Sequence, residues 1–300
     1  MTTQSQERIP FGSVLLLIFG LSLAALNGAL MKFVSGALPE VFIVWSRYTG
    51  YFIIMIPVAV FWTKGESLFP VRPVLQFWRA VTLVVGTLAF VIGAKTTDFA
   101  DAISILYIYP FLLTLMAPFF LGEKVPKAAW LGVVGGALGV LLVAKPTFRG
   151  LDIGALYILL CGLAVSIHNV LNRKIGPLAN PLITSMWGAL LCVAILSVLV
   201  PFSWQTPTLD QLWILIAISA LAAISQSLTL IAFARAPGSL LAPFTYTEVI
   251  SAVFIGLALF GTLPGYLSWV GIGLIVASGL VVSFAPKLGP MVSRRRHPPF

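Results

Sequence analysis

The sequence predicts an all-α integral membrane protein, and three observations support that prediction. Of the 300 residues, 59% are hydrophobic and only 9% are charged, whereas a soluble globular chain has about 25% charged residues. The apolar residues are gathered into segments close to the roughly 20 residues that a helix needs to cross a bilayer. The order of these segments repeats once within the chain. A chain with so few charges cannot cover a water-facing surface, so we expect it to span a membrane many times.

Ten apolar segments are expected to be transmembrane helices. They lie at residues 12–35, 41–62, 74–95, 101–122, 127–145, 152–174, 181–201, 210–234, 239–260 and 266–284. The predicted domains are a cytoplasmic tail (1–11), a first five-helix repeat (12–146), a second five-helix repeat (152–286) and a basic cytoplasmic tail (287–300). The short connections leave no soluble domain large enough to bind a nucleotide.

The distribution of basic residues predicts the orientation. If the N-terminus is cytoplasmic, 12 of the 18 Lys and Arg residues fall in inner loops and tails, three in outer loops and three within helices. Cytoplasmic loops of membrane proteins carry the excess of Lys and Arg. Both termini are therefore predicted to be cytoplasmic. The basic residues lie between apolar segments rather than on one face, which argues against a nucleic-acid partner.

Two apolar segments at matching places are interrupted by proline. The first, residues 101–122, contains Pro110 and Pro118, which are predicted to break it. The second, residues 239–260, contains Pro243 and carries Glu248 opposite Pro110. Paired interrupted segments in the two halves of a membrane protein indicate a transporter's binding site.

The halves align at an offset of about 138 to 142 residues, which places Pro39 near Pro181 and Arg47 opposite Trp187. Each half has five predicted helices. Because five is odd, the second half must enter the membrane from the opposite side. The sequence thus predicts an inverted repeat, the architecture of alternating-access carriers.

The two-by-five layout, Arg47 early in the second segment and the run LGEKVPKAAWLGVVGGALGV (121–140) resemble the drug/metabolite transporter superfamily. The chain is most similar to its EamA-type ten-helix exporters, which include YddG-like amino-acid exporters. The resemblance implies a ten-helix carrier of the bacterial inner membrane that exports a small organic solute. One departure is that the second half reads Phe260-Gly261 where the first reads Gly122-Glu123, so the loop signature is degenerate there.

Glu248 is the most informative candidate residue. A carboxylate near the bilayer midplane costs at least about 2.5 kcal/mol, so it is expected to face a cavity or a partner. It is interpreted as a contact for a substrate amine or as a proton carrier. The alternative is a structural ion pair or a hydrogen bond to a helix break.

Further polar residues are predicted within the membrane. His168, Asn169 and Asn172 share one helix face, where His168 is either a proton carrier or a neutral imidazole bonded to another helix. Asn27 and Gln226 are substrate-binding candidates that interhelical hydrogen bonding also explains.

Arginines and aromatic residues complete the candidate set. Arg47 is expected to pair with a carboxylate or a substrate carboxyl group, and Arg79 to snorkel to the interface. Tyr107 and Tyr246, inside the interrupted segments, are predicted to line an aromatic cavity. Tyr48 and Trp187 are the remaining predicted substrate contacts.

The sequence therefore predicts a secondary transporter that exports an amino acid or related metabolite through a cavity between the repeats. A membrane-embedded enzyme acting on lipids and a channel are the alternatives. The absence of G-x-x-x-x-G-K-[ST] and H-E-x-x-H motifs argues against ATP-driven transport and metalloprotease activity. The expected partners are a small-molecule substrate, the bilayer and a coupling proton, with no cofactor or metal and with a monomer or weak homodimer as the assembly.

Overall fold

The computed structural model describes residues 11–63, 68–122, 125, 127–144, 152–175, 178–236 and 241–284. All regular structure within these ranges is helical. The helices are α1 (Phe11–Val34), α2 (Glu40–Trp62), α3 (Pro73–Ala94), α4 (Phe99–Leu106), α5 (Tyr109–Leu121), α6 (Lys127–Ala144), α7 (Ile153–Ile175), α8 (Pro181–Leu199), α9 (Leu209–Arg235), α10 (Thr247–Phe260) and α11 (Tyr266–Phe284), with 3-10 helices at Val200–Ser203 and Ala242–Tyr246. The predicted C-terminal tail and nearly all of the N-terminal tail lie outside the described residues.

Eight stretches within the described ranges are long and apolar enough to cross a membrane. They are Phe11–Val34, Glu40–Phe61, Pro73–Ala94, Phe99–Leu121, Ile153–Ile175, Pro181–Ser203, Leu209–Arg235 and Pro243–Phe260. Ala129–Ala144 and Tyr266–Val281 are apolar but shorter. Apolar side chains also cover the outer surface, as Phe119 (79% exposed) and Phe254 (69% exposed) illustrate. The chain is a multi-pass membrane protein, and the count of ten crossings stays a prediction.

The first interrupted segment bends between α4 and α5. Tyr107 and Ile108 form a turn, and Pro110 occupies the first turn of α5, where its missing N–H costs no hydrogen bond. Pro118 does not break the segment as predicted, because it lies inside α5. A proline removes one intrahelical hydrogen bond, and α5 tolerates that loss in its last turn, ending only at Leu121.

The second interrupted segment changes helix type instead of forming a turn. Pro243 lies in the 3-10 helix Ala242–Tyr246, which leads directly into α10. Glu248 is therefore the second residue of α10, next to the point where the helix changes. The two predicted interruptions are both present, at Pro110 and at Pro243.

Both interrupted segments end on the same backbone conformation. Gly122 follows α5 with φ 66°, and Gly261 follows α10 with φ 66°. Only glycine adopts this left-handed conformation at little cost, which makes it the usual residue after a helix. The structure thus equates Gly122 with Gly261, which corrects the sequence alignment of Gly122 with Phe260. The cap is present in both repeats, although the residues that follow it differ.

The helices of the two halves exchange partners. Helix α1 packs on α9, and α3 packs on α7. Because α1 corresponds to α7 in the repeat and α3 corresponds to α9, these two pairings are equivalent. Equivalent helices of the two halves also pack on each other, namely α2 with α8, α4 with α10, and α6 with α11. Two halves joined in this reciprocal way form one molecule around a pseudo-twofold axis. The central helices α1 to α4 and α7 to α10 therefore enclose the space between the repeats.

The glycine-rich helices α6 and α11 cross with their backbones in contact. A Cβ added to Gly271 would lie 2.6 Å from the carbonyl oxygen of Gly139, and one added to Gly139 would lie 2.8 Å from the carbonyl oxygen of Gly271. Small residues permit such close approach of membrane helices. The glycines therefore fix the packing of α6 on α11.

Candidate functional site

A cavity of about 220 Å³ lies between the two halves. Residues of α1, α2, α3, α4, α7, α9 and α10 line it. Its polar lining consists of Asn27, Arg47, Thr82, Thr87, His168, Ser225, Gln226 and Glu248. Five of the residues predicted as substrate contacts are in this set: Asn27, Arg47, His168, Gln226 and Glu248. Apolar side chains form the rest of the wall, so the site suits a solute with polar and apolar parts.

A second cavity of about 80 Å³ adjoins the first. Five residues line both cavities: Arg47, Leu83, His168, Ala222 and Gln226. We therefore treat the two cavities as two lobes of one compartment. The predicted contact Tyr48 lines the second lobe, together with Tyr51, Arg79, Ser185 and Ala189.

Glu248 joins the two interrupted segments. Its Oε2 atom lies 2.8 Å from the hydroxyl of Tyr107, in the turn between α4 and α5. The same hydroxyl lies 2.6 Å from the backbone oxygen of Thr245, in the 3-10 helix before α10. Tyr107 is fully buried and lies behind Glu248, outside the lining of either lobe. Glu248 thus lies in the cavity wall next to the second interruption, and it is hydrogen-bonded to the first interruption through Tyr107.

Arg47 has uncharged partners in the structure. Its Nε atom donates to Oδ1 of Asn27 at 3.2 Å, and its guanidinium lies 4.8 Å from the centre of the Tyr48 ring. Asn27 in turn donates to the backbone oxygen of Ile218 on α9. The network orients Arg47 between the two lobes without a protein carboxylate among its described contacts.

Arg79 is buried, whereas the sequence predicted that it would snorkel to the interface. It is only 6% exposed, and its Nη1 donates at 2.8 Å to Oε1 of Gln76 and at 2.8 Å to the backbone oxygen of Thr184 on α8. Snorkelling needs a path along the helix surface to water. Here α3 packs between α7 and α8, which turns Arg79 towards the protein interior.

His168 bonds across to a neighbouring helix. Its Nδ1 lies 3.3 Å from the backbone oxygen of Arg79 on α3. A carbonyl oxygen accepts a hydrogen bond, so this contact requires the proton on Nδ1. Nε2 then remains available as an acceptor in neutral imidazole. The contact agrees with the alternative in which His168 is a neutral imidazole bonded to another helix. His168 also lines both lobes.

Five predicted contacts lie outside the compartment lining, and one of them is Tyr107, behind Glu248. Asn169 and Asn172 are half-buried on α7 but line neither lobe. Trp187 donates through Nε1 to the backbone oxygen of Leu68 at 2.6 Å, and so supports the segment before α3. The ring of Tyr246 lies 5.3 Å from that of Tyr107, tilted by 45°, and its hydroxyl approaches Gly279 on α11. Sequence position gives the place along a helix but not the rotation about its axis, and these side chains line neither lobe.

The polar lining residues that sequence reasoning missed are Arg79, Tyr51, Ser185, Thr82, Thr87 and Ser225. Arg79 carried a signal, because a charged side chain within a membrane segment usually faces the bundle interior. The hydroxyl residues carried none, since Ser and Thr are common throughout membrane helices.

Comparison with known proteins places these features in a family. The model of the EamA-like transporter family matches residues 11–145 and again residues 152–284. An S-adenosylmethionine uptake transporter of Rickettsia bellii is 22% identical over 262 residues, which cover 87% of this chain and 89% of the relative. A riboflavin transporter of Rhizobium johnstonii is 26% identical over 240 residues, with 75% and 80% covered.

Two further matches cover most of the chain. A riboflavin transporter of Vibrio cholerae is 23% identical over 287 residues, which cover 95% of both chains. A solved crystal structure superposes with a TM-score of 0.64 at 17% identity and covers 90% of this chain and 94% of the other. At that identity the superposition supports the fold alone.

Proposed function

Because the chain belongs to the EamA-like transporter family of the drug/metabolite transporter superfamily, we propose that it is a secondary transporter that carries an amino acid or a related metabolite by alternating access. The observation that supports this function is the polar compartment between the two halves. Its lining comes from seven helices, and it contains both Glu248 and Arg47. The relatives are named as transporters of small metabolites, not as enzymes.

The proposed membrane arrangement follows from the sequence. All ten apolar segments cross the bacterial inner membrane, with both termini in the cytoplasm and with repeats at residues 12–146 and 152–286. The reciprocal pairing of α1 with α9 and of α3 with α7 supports an inverted relation between the halves. The assembly is expected to be a monomer or a weak homodimer.

The proposed mechanism is a rocking of the two halves around the compartment. In this cycle the halves move as bundles around a fixed site, while the close glycine contact between α6 and α11 keeps them joined. Glu248 accepts either a substrate amine or a coupling proton, because it lines the first lobe and contacts the break in α4–α5 through Tyr107. Each half contributes an interrupted segment to the wall of the compartment. Closure of the compartment on either side therefore changes the residues that line it.

The direction of net transport is a separate part of the proposal. The resemblance to exporters implies outward transport, whereas the Rickettsia relatives are named as uptake transporters. A rocking carrier moves its solute either way. We propose that the gradients of solute and coupling ion set the direction, with export of an amino-acid-type metabolite as the expected outcome in the cell.

Counterflow in proteoliposomes tests the transporter proposal. Vesicles that contain the purified protein are loaded with a mixture of the 20 amino acids and diluted into buffer with one labelled amino acid at a time. A transient accumulation of label that needs unlabelled solute inside is expected for at least one of them. Equilibration without accumulation would indicate a channel, and conversion of added lipids without any flux would indicate an enzyme.

A further inference from the structure

We propose that Arg79 and Arg47 form a binding site for the carboxylate of the transported solute, and that the solute is a zwitterion. This inference rests on the proposed transport function and specifies its substrate class. Arg47 lines both lobes, Arg79 lines the second lobe, and Glu248 lines the first. The second lobe therefore has two guanidinium groups in its wall, and the first lobe has Arg47 and the carboxyl group of Glu248.

The burial of Arg79 is the first argument. A guanidinium within a membrane protein is costly and normally pairs with another ionisable group or with backbone carbonyls. Arg79 is 6% exposed, and the described residues supply it with an amide oxygen from Gln76 and a backbone oxygen from Thr184, but with no carboxylate. The ion pair found in the described part of the chain joins Glu40 to Lys95, at the other end of α3. An anionic ligand would supply the missing countercharge.

The unused donors of Arg79 are the second argument. A guanidinium has five N–H donors in a planar fork, which matches a carboxylate in two parallel hydrogen bonds. The described contacts of Arg79 engage Nη1. Its Nε is buried and has no hydrogen-bond partner among the described residues. A buried donor without a partner costs about 1–3 kcal/mol, so the arrangement favours an acceptor arriving in the adjoining lobe.

Helix α8 fixes the position of that fork. A Cβ added to Gly188 would lie 3.1 Å from Nη1 and 3.1 Å from Nη2 of Arg79. The guanidinium therefore lies close to the α8 backbone, in space that the missing side chain of Gly188 leaves free. Hydrogen bonds to Gln76 on α3 and to Thr184 on α8 hold the group before any ligand binds, which reduces the entropic cost of binding.

The composition of the first lobe defines the rest of the ligand. Among its described lining residues, Glu248 is the acidic one, and the amino group of a solute is a suitable partner for it. The same lobe has an apolar wall formed by Met31, Leu83, Phe90, Ile103 and Leu106. An amino acid with an apolar side chain satisfies all three features. Its carboxylate would lie at Arg79 and Arg47 and its amine towards Glu248.

Thermal stability of the purified protein in detergent tests the carboxylate site without transport. L-leucine, L-methionine and L-phenylalanine are each compared with the matching carboxamide, which keeps the amine and side chain but lacks the negative charge. We expect at least one free acid to raise the melting temperature at concentrations at least about tenfold below those its amide requires. In Arg79→Gln this difference is expected to disappear.

Three further variants separate binding from folding. Arg235→Gln removes an exposed arginine and should keep the acid preference. Arg79→Lys keeps the charge but not the fork, so it should fold and show a reduced preference. Gly188→Ala displaces the guanidinium while keeping Arg79, and should also reduce it.

The proposal fails if no free acid stabilises the protein more than its amide, or if the preference survives in Arg79→Gln. It also fails if replacing gluconate by chloride in the buffer reproduces the whole Arg79-dependent rise in melting temperature, since the site would then hold an inorganic ion. Counterflow of amides as fast as of acids would leave the transporter proposal intact and remove the carboxylate site. Acid-selective binding with no counterflow would support the carboxylate site and contradict the transporter proposal.

Discussion

The hydroxyl of Tyr107 has one proton and two acceptors in reach. It lies 2.6 Å from the backbone oxygen of Thr245 and 2.8 Å from Oε2 of Glu248. When Glu248 is ionised, both partners only accept, and the hydroxyl proton serves one of them at a time. When Glu248 carries a proton, it donates to Tyr107, and Tyr107 donates to Thr245. The charge of Glu248 is thus coupled to a backbone contact at the second helix interruption.

Replacing Glu248 by Gln tests whether the charge is used. The amide still donates to Tyr107 as the protonated carboxyl does, so Glu248→Gln should fold and express normally. Transport is expected to fall at least about tenfold, equivalent to roughly 1.4 kcal/mol, because the amide binds neither a substrate amine nor a proton. The measurement is the initial rate of counterflow between pH 6 and 8.

Glu40→Gln is the matched control for this variant. Glu40 pairs with Lys95 at the edge of the helical bundle and lines neither lobe. A partly exposed pair of this kind contributes little, so transport should be unchanged. Normal transport by Glu248→Gln across the pH range would show that Glu248 is structural.

At the scale of the elements, the prolines and glycines were the residues from which the helix interruptions and helix ends could best be predicted. Pro110 and Pro243 marked the two interruptions because proline alters the backbone wherever it stands. Pro118 misled the prediction, since one lost hydrogen bond near a helix end does not stop a helix. The equivalence of Gly122 and Gly261 was obscured by a one-residue alignment error, which only the two matching φ values reveal.

The site was less predictable than the elements for a physical reason. Polar residues such as Asn27 and Gln226 were found because burying them in an apolar segment needs a partner. Asn169, Asn172 and Trp187 were chosen by similar reasoning from apolar segments, but they line neither lobe. The helices here are apolar nearly all round, so the sequence gives little indication of which face is central.

The contact between α6 and α11 gives a prediction about stability. In Gly271→Ala the new Cβ would lie 2.6 Å from a backbone oxygen of Gly139, which cannot move without shifting α6. The melting temperature of the purified protein should fall. Gly273→Ala, two residues away on α11, is the matched control, because no atom lies within 4 Å of its added Cβ.

The direction in which the control variant changes the melting temperature is also informative. Alanine is favoured over glycine inside a helix by up to about 1 kcal/mol, so Gly273→Ala should leave the melting temperature unchanged or raise it. Equal decreases in the two variants would mean that the loss comes from the helices themselves rather than from the contact between them.

At the scale of the whole molecule, two hydrogen bonds link segments that are distant in sequence, at opposite ends of the bundle. Gln205, after the 3-10 helix that follows α8, donates to the backbone oxygen of Ala37 between α1 and α2 at 3.2 Å. At the other end, Trp187 near the start of α8 reaches Leu68 before α3. Loops from both halves therefore share each end, as expected for halves that enter the membrane from opposite sides.

The orientation of these ends is the remaining prediction. The bias of basic residues places the Gln205 end outside and both termini inside. Alkaline phosphatase inserted at Thr206-Pro207 should therefore be active, and green fluorescent protein fused after Phe300 should be fluorescent. As an internal control, alkaline phosphatase inserted at Leu178, before α8, should be inactive, because α8 separates it from Thr206. An external C-terminus together with an external Thr206 loop would require an even number of crossings after that loop instead of the predicted three. That result would rule out the inverted five-plus-five arrangement, while the opposite sign at all three sites would preserve it and reverse only its direction in the membrane.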